Sequence, residues 1–118
     1  MFRTLLQAKL HRAVVTEADL HYEGSCGIDE ALLEVSGLRE HQYIELYNIN
    51  NGERFSTYII RAPRGSGEIS LNGAAARKAA VGDLLIICAY SLYGDDDLAG
   101  YAPKVLLLDE RNRVAQVK

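Results

Sequence analysis

Apolar and polar side chains alternate with a period of two along much of the chain, which is typical of β-strands that bury one face. From Phe2 to Val14 the apolar residues fall mainly on even positions, while Lys9 and His11 occupy odd ones. A long first strand is therefore predicted, with Lys9 and His11 on the face away from the core. The polar segment Thr16 to Asp19 indicates a turn after this strand.

Two more strands are predicted at Tyr43 to Asn50 and Glu53 to Ile60, with only Asn51-Gly52 between them. Asn-Gly between two such segments favours a tight hairpin in which both turn residues have positive φ. The later segments are predicted as loops at 61–68 and 94–100, a buried strand at 84–89, and short strands at 105–108 and 114–117.

Two short helices interrupt this β pattern. Asp29 is suited to cap a helix N-terminus, and Gly37 is suited to end the same helix about two turns later. Asn72 is suited to cap a second, Ala-rich helix from Gly73 to Ala80. Many short strands with two short helices predict a compact, mostly β barrel.

Composition narrows the class of protein. The 118 residues include 13 basic and 16 acidic side chains, and 48% are hydrophobic, which is the mixture of one soluble globular domain. Basic residues never run beyond two in succession, so no nucleic-acid partner is expected. The longest apolar run, Leu84 to Tyr90, is too short to cross a membrane, and the N-terminus lacks a signal-peptide pattern. We expect a cytoplasmic protein.

The cysteines and histidines do not form a recognisable ligand pattern. Cys26 and Cys88 are too few for a disulfide framework. The three histidines are not spaced as metal-ligand pairs, and no Cys-x-x-Cys is present. No metal site is expected.

The pair Gly24-Ser25 would be an ordinary turn in most proteins. A glycine before a hydroxyl nucleophile also permits an N→O acyl shift, because residue 24 has no Cβ to shield its carbonyl. β-Elimination of the resulting ester cuts the chain and leaves dehydroalanine. Hydrolysis of dehydroalanine yields a pyruvoyl group, which acts as an electron sink towards substrate amines.

Alternation in the second hairpin strand places Arg54, Ser56 and Tyr58 on one face and Thr57 on the other. A solvated strand face is one interpretation of this arrangement. The alternative is a site in which the guanidinium binds a carboxylate and the phenol donates a proton. The start of the predicted second helix at Asn72 could similarly present free N–H groups to an anion.

Several of these segments occur together, in one order, in a known family. They span Phe2 to Ala89 and comprise Lys9-Leu10-His11-Arg12, Ala18 to Ser25, Asn51-Gly52, Arg54 to Tyr58, Arg64-Gly65-Ser66, Asn72 to Ala76 and Val81-Gly82-Asp83. The sequence thereby resembles the pyruvoyl-dependent L-aspartate α-decarboxylases, which make β-alanine for pantothenate synthesis in bacteria.

This resemblance implies a double-psi β-barrel with short helices, assembled as a homotetramer with active sites between neighbouring subunits. It implies that a single domain, residues 1–118, cleaves itself between Gly24 and Ser25 into chains 1–24 and 25–118. The only cofactor would be the pyruvoyl group derived from Ser25, without a metal or pyridoxal phosphate. Whether a maturation partner triggers the cleavage is left open.

The resemblance also implies a role for each matching residue. Ser25 would supply the Schiff-base carbonyl, and Tyr58 would donate a proton to the carbon that loses CO2. Thr57 would stabilise the oxyanion at Gly24 during cleavage and would also contact the substrate. The residues expected to bind the substrate or line its pocket are Lys9, Arg54, Asn72, Gly73, Ala74 and Ala75, with His11 and Tyr22 in support.

Two features leave alternatives open. Tyr47 stands where many family members have tryptophan, so one wall of the pocket is expected to differ. Thr57 lies on the opposite face from Arg54 and Tyr58, so either the strand contains a bulge or its two faces serve different steps or subunits. The rival functions are a non-catalytic barrel that binds a small acid or a partner protein, and a pyruvoyl enzyme for another amino acid.

Overall fold

One sheet of nine strands forms most of the protein in a computed structural model that describes residues 1–118. The strands are β1 (Phe2–Val14), β2 (Glu17–Asp19), β3 (Ser25–Asp29), β4 (Tyr43–Asn48), β5 (Arg54–Ala62), β6 (Ile69–Asn72), β7 (Leu84–Gly94), β8 (Lys104–Leu108) and β9 (Val114–Val117). They are joined by helix α1 (Glu30–Ser36) and two 3-10 helices, Gly73–Arg77 and Asp95–Gly100.

The sheet curls on itself, as the strand order β2-β6-β3-β5-β4-β7-β1-β8-β9 requires. Strands β1 and β2 are separated in the chain only by Val15 and Thr16, yet they lie towards opposite ends of this order. Thr16 N donates to Ile69 O at 2.8 Å, and Ile69 N donates to Thr16 Oγ1 at 3.0 Å. The predicted fold class, a mostly β barrel-like protein with short helices, is confirmed.

The interior of this curled sheet is a single cluster of 20 buried residues. Strands from both halves of the chain contribute side chains that are 0% exposed, such as Leu10, Ile28, Ile44, Ile87 and Leu106. Burying such side chains is worth about 1.5–3 kcal/mol each, so the apolar faces predicted from alternation hold the curled sheet together.

The first strand has its predicted bounds, but its alternation breaks at Arg12. Ala8 and Leu10 are buried as expected. Arg12 has a φ of 68°, and the register with β7 shifts between His11 and Ala13. This bulge turns Ala13 inward and leaves Val14 half-buried, so the expected inward position of Val14 is wrong.

The predicted hairpin is present, but its turn is longer than expected. Strands β4 and β5 are antiparallel, and five residues, 49–53, connect them. Only Gly52 of the Asn-Gly pair has positive φ, at 77°. Asn48 Oδ1 accepts from Asn50 N at 2.8 Å, and Asn51 Oδ1 accepts from Glu53 N at 2.8 Å. These side chains stabilise a wider loop in place of the two-residue turn.

Helix α1 is confirmed, since Asp29 accepts from Ala31 N at 2.8 Å and Gly37 ends the helix with a φ of 78°. The second predicted helix is a shorter 3-10 helix, Gly73–Arg77. The polar segment 16–19 contains strand β2, which was expected to be a turn, and the short strand β6 was not predicted. Strands β2 and β6 pair with each other in parallel, although they are distant in the sequence. Their conformation is therefore decided by this pairing and not by local sequence.

Candidate active site at the start of the third strand

The peptide between Gly24 and Ser25 lies where an exposed turn enters the buried sheet. Gly24 is exposed, whereas Ser25 is only 1% exposed. Strand β3, which begins at Ser25, is paired with β5 on one side and β6 on the other. Ser25 is therefore held by the sheet, while the residue before it belongs to a segment without ladder pairing.

The Ser25 hydroxyl has two partners. Asn72 lies directly opposite Ser25 on β6, and its Nδ2 donates to Ser25 Oγ at 3.0 Å. Ser25 Oγ donates to the carbonyl of Glu23 at 3.4 Å. Asn72 was predicted to cap a helix, but its side chain makes no capping hydrogen bond and is used to orient the hydroxyl. The side-chain role expected from capping is therefore wrong.

Gly73 supports the turn that precedes the Gly24-Ser25 peptide. Its φ is +68°, and a Cβ at this position would lie 2.8 Å from both Gly24 Cα and Gly24 N and 3.0 Å from Tyr22 O. Any side chain would displace the turn, so glycine alone permits this packing. Of the next two residues in the 3-10 helix, Ala74 is exposed and Ala75 packs against the core.

Strand β5 keeps a regular alternation through the predicted site residues. Its register with β4 runs without a shift from Tyr43 opposite Tyr58 to Tyr47 opposite Arg54. A bulge is therefore excluded, and Thr57 lies on the opposite face from Arg54 and Tyr58. The alternative in which the strand contains a bulge is therefore wrong, and the one in which its two faces serve different steps or subunits stays a prediction.

Thr57 and Tyr58 of β5 lie level with the Gly24-Ser25 peptide at one end of the barrel. Strands β3 and β5 run parallel, with Cys26 beside Ile59. One residue before this pair, the two strands reach Ser25 and Tyr58. Two residues before it, they reach Gly24 and Thr57. The phenol of Tyr58 is exposed on the outer face, with its ring centroid 6.3 Å from that of His41.

Lys9 lies on the outer face of the sheet but far from Arg54. Moving across the sheet, Lys9 is beside Cys88, Cys88 is beside Glu45, and Glu45 is beside Ser56 on β5. Three inter-strand steps of about 4.8 Å separate β1 from β5 by ~14 Å along the sheet. Lys9 and Arg54 therefore share the outer face of one chain, with two strands between β1 and β5.

His11 shares the outer face of β1 with Lys9. Partial burial lowers the pKa of His11, and the positive charges of Lys9, Arg12 and Lys118 lower it further. Its Nδ1 is buried without a hydrogen-bond partner in the chain. The imidazole is therefore neutral at pH 7.

Arg54 lies over the ring of Tyr47, which contacts a second tyrosine, Tyr90. The Arg54 guanidinium carbon lies 4.4 Å from the centroid of the Tyr47 ring, and Tyr47 Oη is 3.3 Å from Tyr90 Oη. Sequence reasoning missed Tyr90 because the predicted strand ended at Ala89, whereas β7 continues to Gly94. Extending the alternation by two positions beyond Cys88 would have placed Tyr90 on this outer face.

Comparison with known proteins identifies the family. A family profile described as "Aspartate decarboxylase" matches residues 1–115. The chain belongs to the aspartate decarboxylase family. It is similar to proteins named "Aspartate 1-decarboxylase" from Ralstonia pickettii (strain 12J), at 65% identity, and Methylibium petroleiphilum (strain ATCC BAA-1232 / LMG 22953 / PM1), at 68% identity. Each match covers 100% of this chain and 98% of the relative.

A similar protein of the same name, from Bordetella pertussis (strain Tohama I / ATCC BAA-589 / NCTC 13251), is 64% identical over 100% of this chain and 97% of its own length. Membership of the aspartate decarboxylase family makes this protein an enzyme, a decarboxylase. No helix in it has the length and apolar character needed to span a membrane.

In this decarboxylase chain, a buried hydroxyl at Ser25 directly follows an open glycine. The serine hydroxyl is almost fully buried and oriented by Asn72. The neighbouring Gly24 is open, since the only atom near the position of a Cβ there is Asn72 O at 4.0 Å. No His, Cys, Asp and Glu side chains form a group of three or more that could hold a metal ion.

None of the four surface clefts of the single decarboxylase chain is lined by Ser25, Arg54, Tyr58 or Lys9. Two of them, of about 530 and 450 Å³, adjoin each other around Arg39, Glu40 and His41. The surface clefts of one chain therefore lie away from Ser25.

Proposed function

We propose that this chain cleaves itself between Gly24 and Ser25 and then converts L-aspartate to β-alanine and CO2. The observation that carries the proposal is the Ser25 hydroxyl, buried and held 3.0 Å from Asn72 Nδ2, directly after an open glycine. The name "Aspartate 1-decarboxylase", shared by relatives at 61–68% identity, supports aspartate as the substrate.

Self-cleavage begins when Ser25 Oγ bonds to the carbonyl carbon of Gly24 and the peptide C–N bond breaks. The hydroxyl proton ends on the freed amine, and residues 1–24 become linked through an ester. Loss of the Ser25 Cα proton breaks the Cβ–Oγ bond and releases Gly24 as a carboxylate. Water then replaces the nitrogen of dehydroalanine, ammonia leaves, and residues 25–118 begin with a pyruvoyl group.

The residues around the peptide favour this attack. Asn72 holds Ser25 Oγ, and Gly73 supports the turn at Gly24 without a side chain. Thr57 is assigned to stabilise the negative charge that develops on the Gly24 oxygen. Thr57 lies level with Gly24, the residue just before β3, and on the face of β5 away from Tyr58, which supports a role in cleavage.

A pyruvoyl ketone supplies a site that condenses with the substrate amine and accepts the electrons released with CO2. The protein must then hold two carboxylates and return one proton. Arg54 provides a guanidinium on the outer face of β5, and Tyr58 on the same face provides the phenolic proton for the substrate carbon. Lys9 provides the second cation.

A second copy of the chain completes the site in this proposal. None of the surface clefts of one chain is lined by Ser25, Arg54, Tyr58 or Lys9, which supports a substrate cavity whose walls come from more than one copy. We propose a homotetramer with active sites between neighbouring subunits, in which His11 and Tyr22 line the contact. The enzyme would act in the cytoplasm, supplying β-alanine for pantothenate synthesis.

Intact mass spectrometry of the purified protein after incubation tests the cleavage, with Ser25→Ala as the matched control. We expect two fragments that divide at residues 24 and 25, the larger being lighter by one ammonia than a serine-initiated chain. The processed protein should release CO2 from aspartate and much less from glutamate. A serine-initiated fragment would mean ester hydrolysis without cofactor formation. A chain that stays uncut under all conditions, including exposure to a cell extract, would contradict the proposal.

A further inference from the structure

Arg54 contacts an aromatic ring instead of a carboxylate. Arg61, Arg64 and Arg113 each lie within 3.5 Å of a carboxylate oxygen of the same chain. Arg54 has no such partner and contacts the Tyr47 ring face, with its guanidinium carbon 4.4 Å from the centroid. A guanidinium stacked on a ring keeps the N–H donors along its edge free for an external carboxylate.

The Tyr47 ring is itself held in place. Arg54 and Tyr47 are directly opposite in the β4–β5 ladder, so their side chains leave the sheet on the same face. The Tyr47 hydroxyl lies 3.3 Å from the Tyr90 hydroxyl, on β7. This contact raises the pKa of Tyr90, and partial burial raises it further, so the Tyr90 phenol stays neutral and can donate a hydrogen bond at pH 7.

The position of Tyr90 shows that the Tyr47 ring lies along the sheet. Tyr47 is opposite Ile86 on β7, whereas Tyr90 is four residues further on. The two hydroxyls can meet only if both tyrosine side chains extend towards each other along the outer face of β7. Cys88, which lies between Ile86 and Tyr90 on that face, is only 4% exposed. The ring face is thereby presented outward to Arg54.

We propose that Tyr47, anchored by Tyr90, is a positioning residue that orients the Arg54 guanidinium for a substrate carboxylate. This inference rests on the proposed function, in which Arg54 binds such a carboxylate. Tyr47 contributes through its ring face, and Tyr90 contributes by fixing the angle of that ring. Neither residue takes part in proton transfer or in self-cleavage.

Steady-state kinetics of the processed enzyme with aspartate test the proposal, together with competitive inhibition by succinate, a dicarboxylate that lacks the amine. Tyr47→Leu should raise KM and the succinate inhibition constant roughly three- to tenfold, with a smaller change in kcat. Tyr47→Trp keeps a ring face and should restore most of the affinity. Tyr90→Phe removes only the hydroxyl contact and should produce a smaller change in the same direction.

Two controls separate positioning from a general structural effect. Self-cleavage by intact mass and the thermal midpoint should match those of the parent enzyme in all three variants. In an Arg54→Ala background, Tyr47→Leu should cause no further loss of kcat/KM, because the ring would have no guanidinium to orient. Additive losses in that double variant would overturn the proposal, as would an unchanged KM and inhibition constant in Tyr47→Leu.

The same data distinguish this proposal from the proposed function. If the parent chain is uncut or releases no CO2 from aspartate, the proposed function fails and the role of Tyr47 fails with it. If Arg54→Ala leaves KM unchanged, Arg54 does not bind the carboxylate. If the parent is active and Arg54→Ala raises KM but Tyr47→Leu does not, only the positioning role is wrong.

Discussion

Replacing Asp29 by asparagine is expected to destabilise the strand that carries Ser25. Asp29 ends β3 and is only 1% exposed. Its Oδ1 accepts from Ala31 N at 2.8 Å and from Gly65 N at 2.9 Å, and its Oδ2 accepts from Gly67 N at 2.8 Å. One carboxylate therefore ties the strand to the start of helix α1 and to the loop before β6.

The side-chain amide introduced by Asp29→Asn can accept only through its single oxygen. Two N–H groups keep an acceptor, but the Gly67 N–H would face the new NH2 group, and an unsatisfied buried donor costs about 1–3 kcal/mol. The two remaining hydrogen bonds also lose the extra strength that a charged acceptor provides. Part of this loss of stability is offset because the substitution removes a buried charge. We expect a net loss of about 2–4 kcal/mol in the free energy of unfolding.

The exposed partner of Asp29 provides a matched control. Arg113 Nη1 lies 3.5 Å from Asp29 Oδ2, but the Arg113 side chain is 51% exposed. Because solvent screens such a pair, Arg113→Gln should cost at most about 1 kcal/mol. Its other contact, from Nη2 to Gly65 O at 2.9 Å, is also at the surface.

Urea unfolding followed by circular dichroism measures these differences. Both variants should be made in a Ser25→Ala background, so that every chain is intact, and compared at equal protein concentration. A loss below about 1 kcal/mol in Asp29→Asn, or a loss in Arg113→Gln of the same size as that in Asp29→Asn, would refute the assignment of the stabilisation to the backbone donors.

The pH dependence of stability gives an independent check. Burial alone would raise the pKa of Asp29, but the three backbone N–H donors and Arg113 hold it below its ordinary value. A carboxyl with a lowered folded-state pKa stabilises the protein above the unfolded-state pKa of about 3.9. This stabilisation is lost as the pH falls through the lower, folded-state pKa. The difference between parent and Asp29→Asn should therefore shrink below about pH 4.

Three further outcomes are expected at the site. Gly73→Ala should slow or abolish self-cleavage, measured by intact mass. The alanine Cβ would lie 2.8 Å from Gly24 Cα, and residue 73 has a φ of +68° that disfavours a side chain. Normal cleavage would show that the turn tolerates displacement. Asn72→Ala should slow cleavage roughly tenfold or more by releasing the Ser25 hydroxyl, and an unchanged rate would remove Asn72 from that role. Tyr58→Phe should cleave normally yet lose most CO2 release, roughly 100-fold or more, and full turnover would mean that another group donates the proton.

Local chemistry made several parts of this structure predictable from the sequence. Helix α1 begins and ends where Asp29 and Gly37 indicate, because capping and positive φ depend on residues within one turn. The long first strand was found from its alternation, because one buried face imposes a period of two. Gly24-Ser25 was found as the candidate for cleavage because that chemistry requires adjacent residues.

Other features depended on contacts between distant segments. The break at Arg12, the short strands β2 and β6 and the wide turn before Arg54 follow from pairing and from side chains that bind the backbone elsewhere. Likewise, Asn72 contacts Ser25 across 47 residues of sequence, so its local suitability as a helix cap indicated the wrong side-chain partner.

The sequence by itself determined the mostly β class, the boundaries of helix α1 and the residue types that chemistry at Ser25 requires. Tertiary structure decided which of those residues meet. It placed Asn72 and Gly73 against the Gly24-Ser25 peptide, put Thr57 and Tyr58 on opposite faces of β5, and kept Lys9 three strands away from Arg54. The physical reason is that alternation specifies a face, whereas the neighbours on that face depend on strand order and register, which buried contacts throughout the barrel select together.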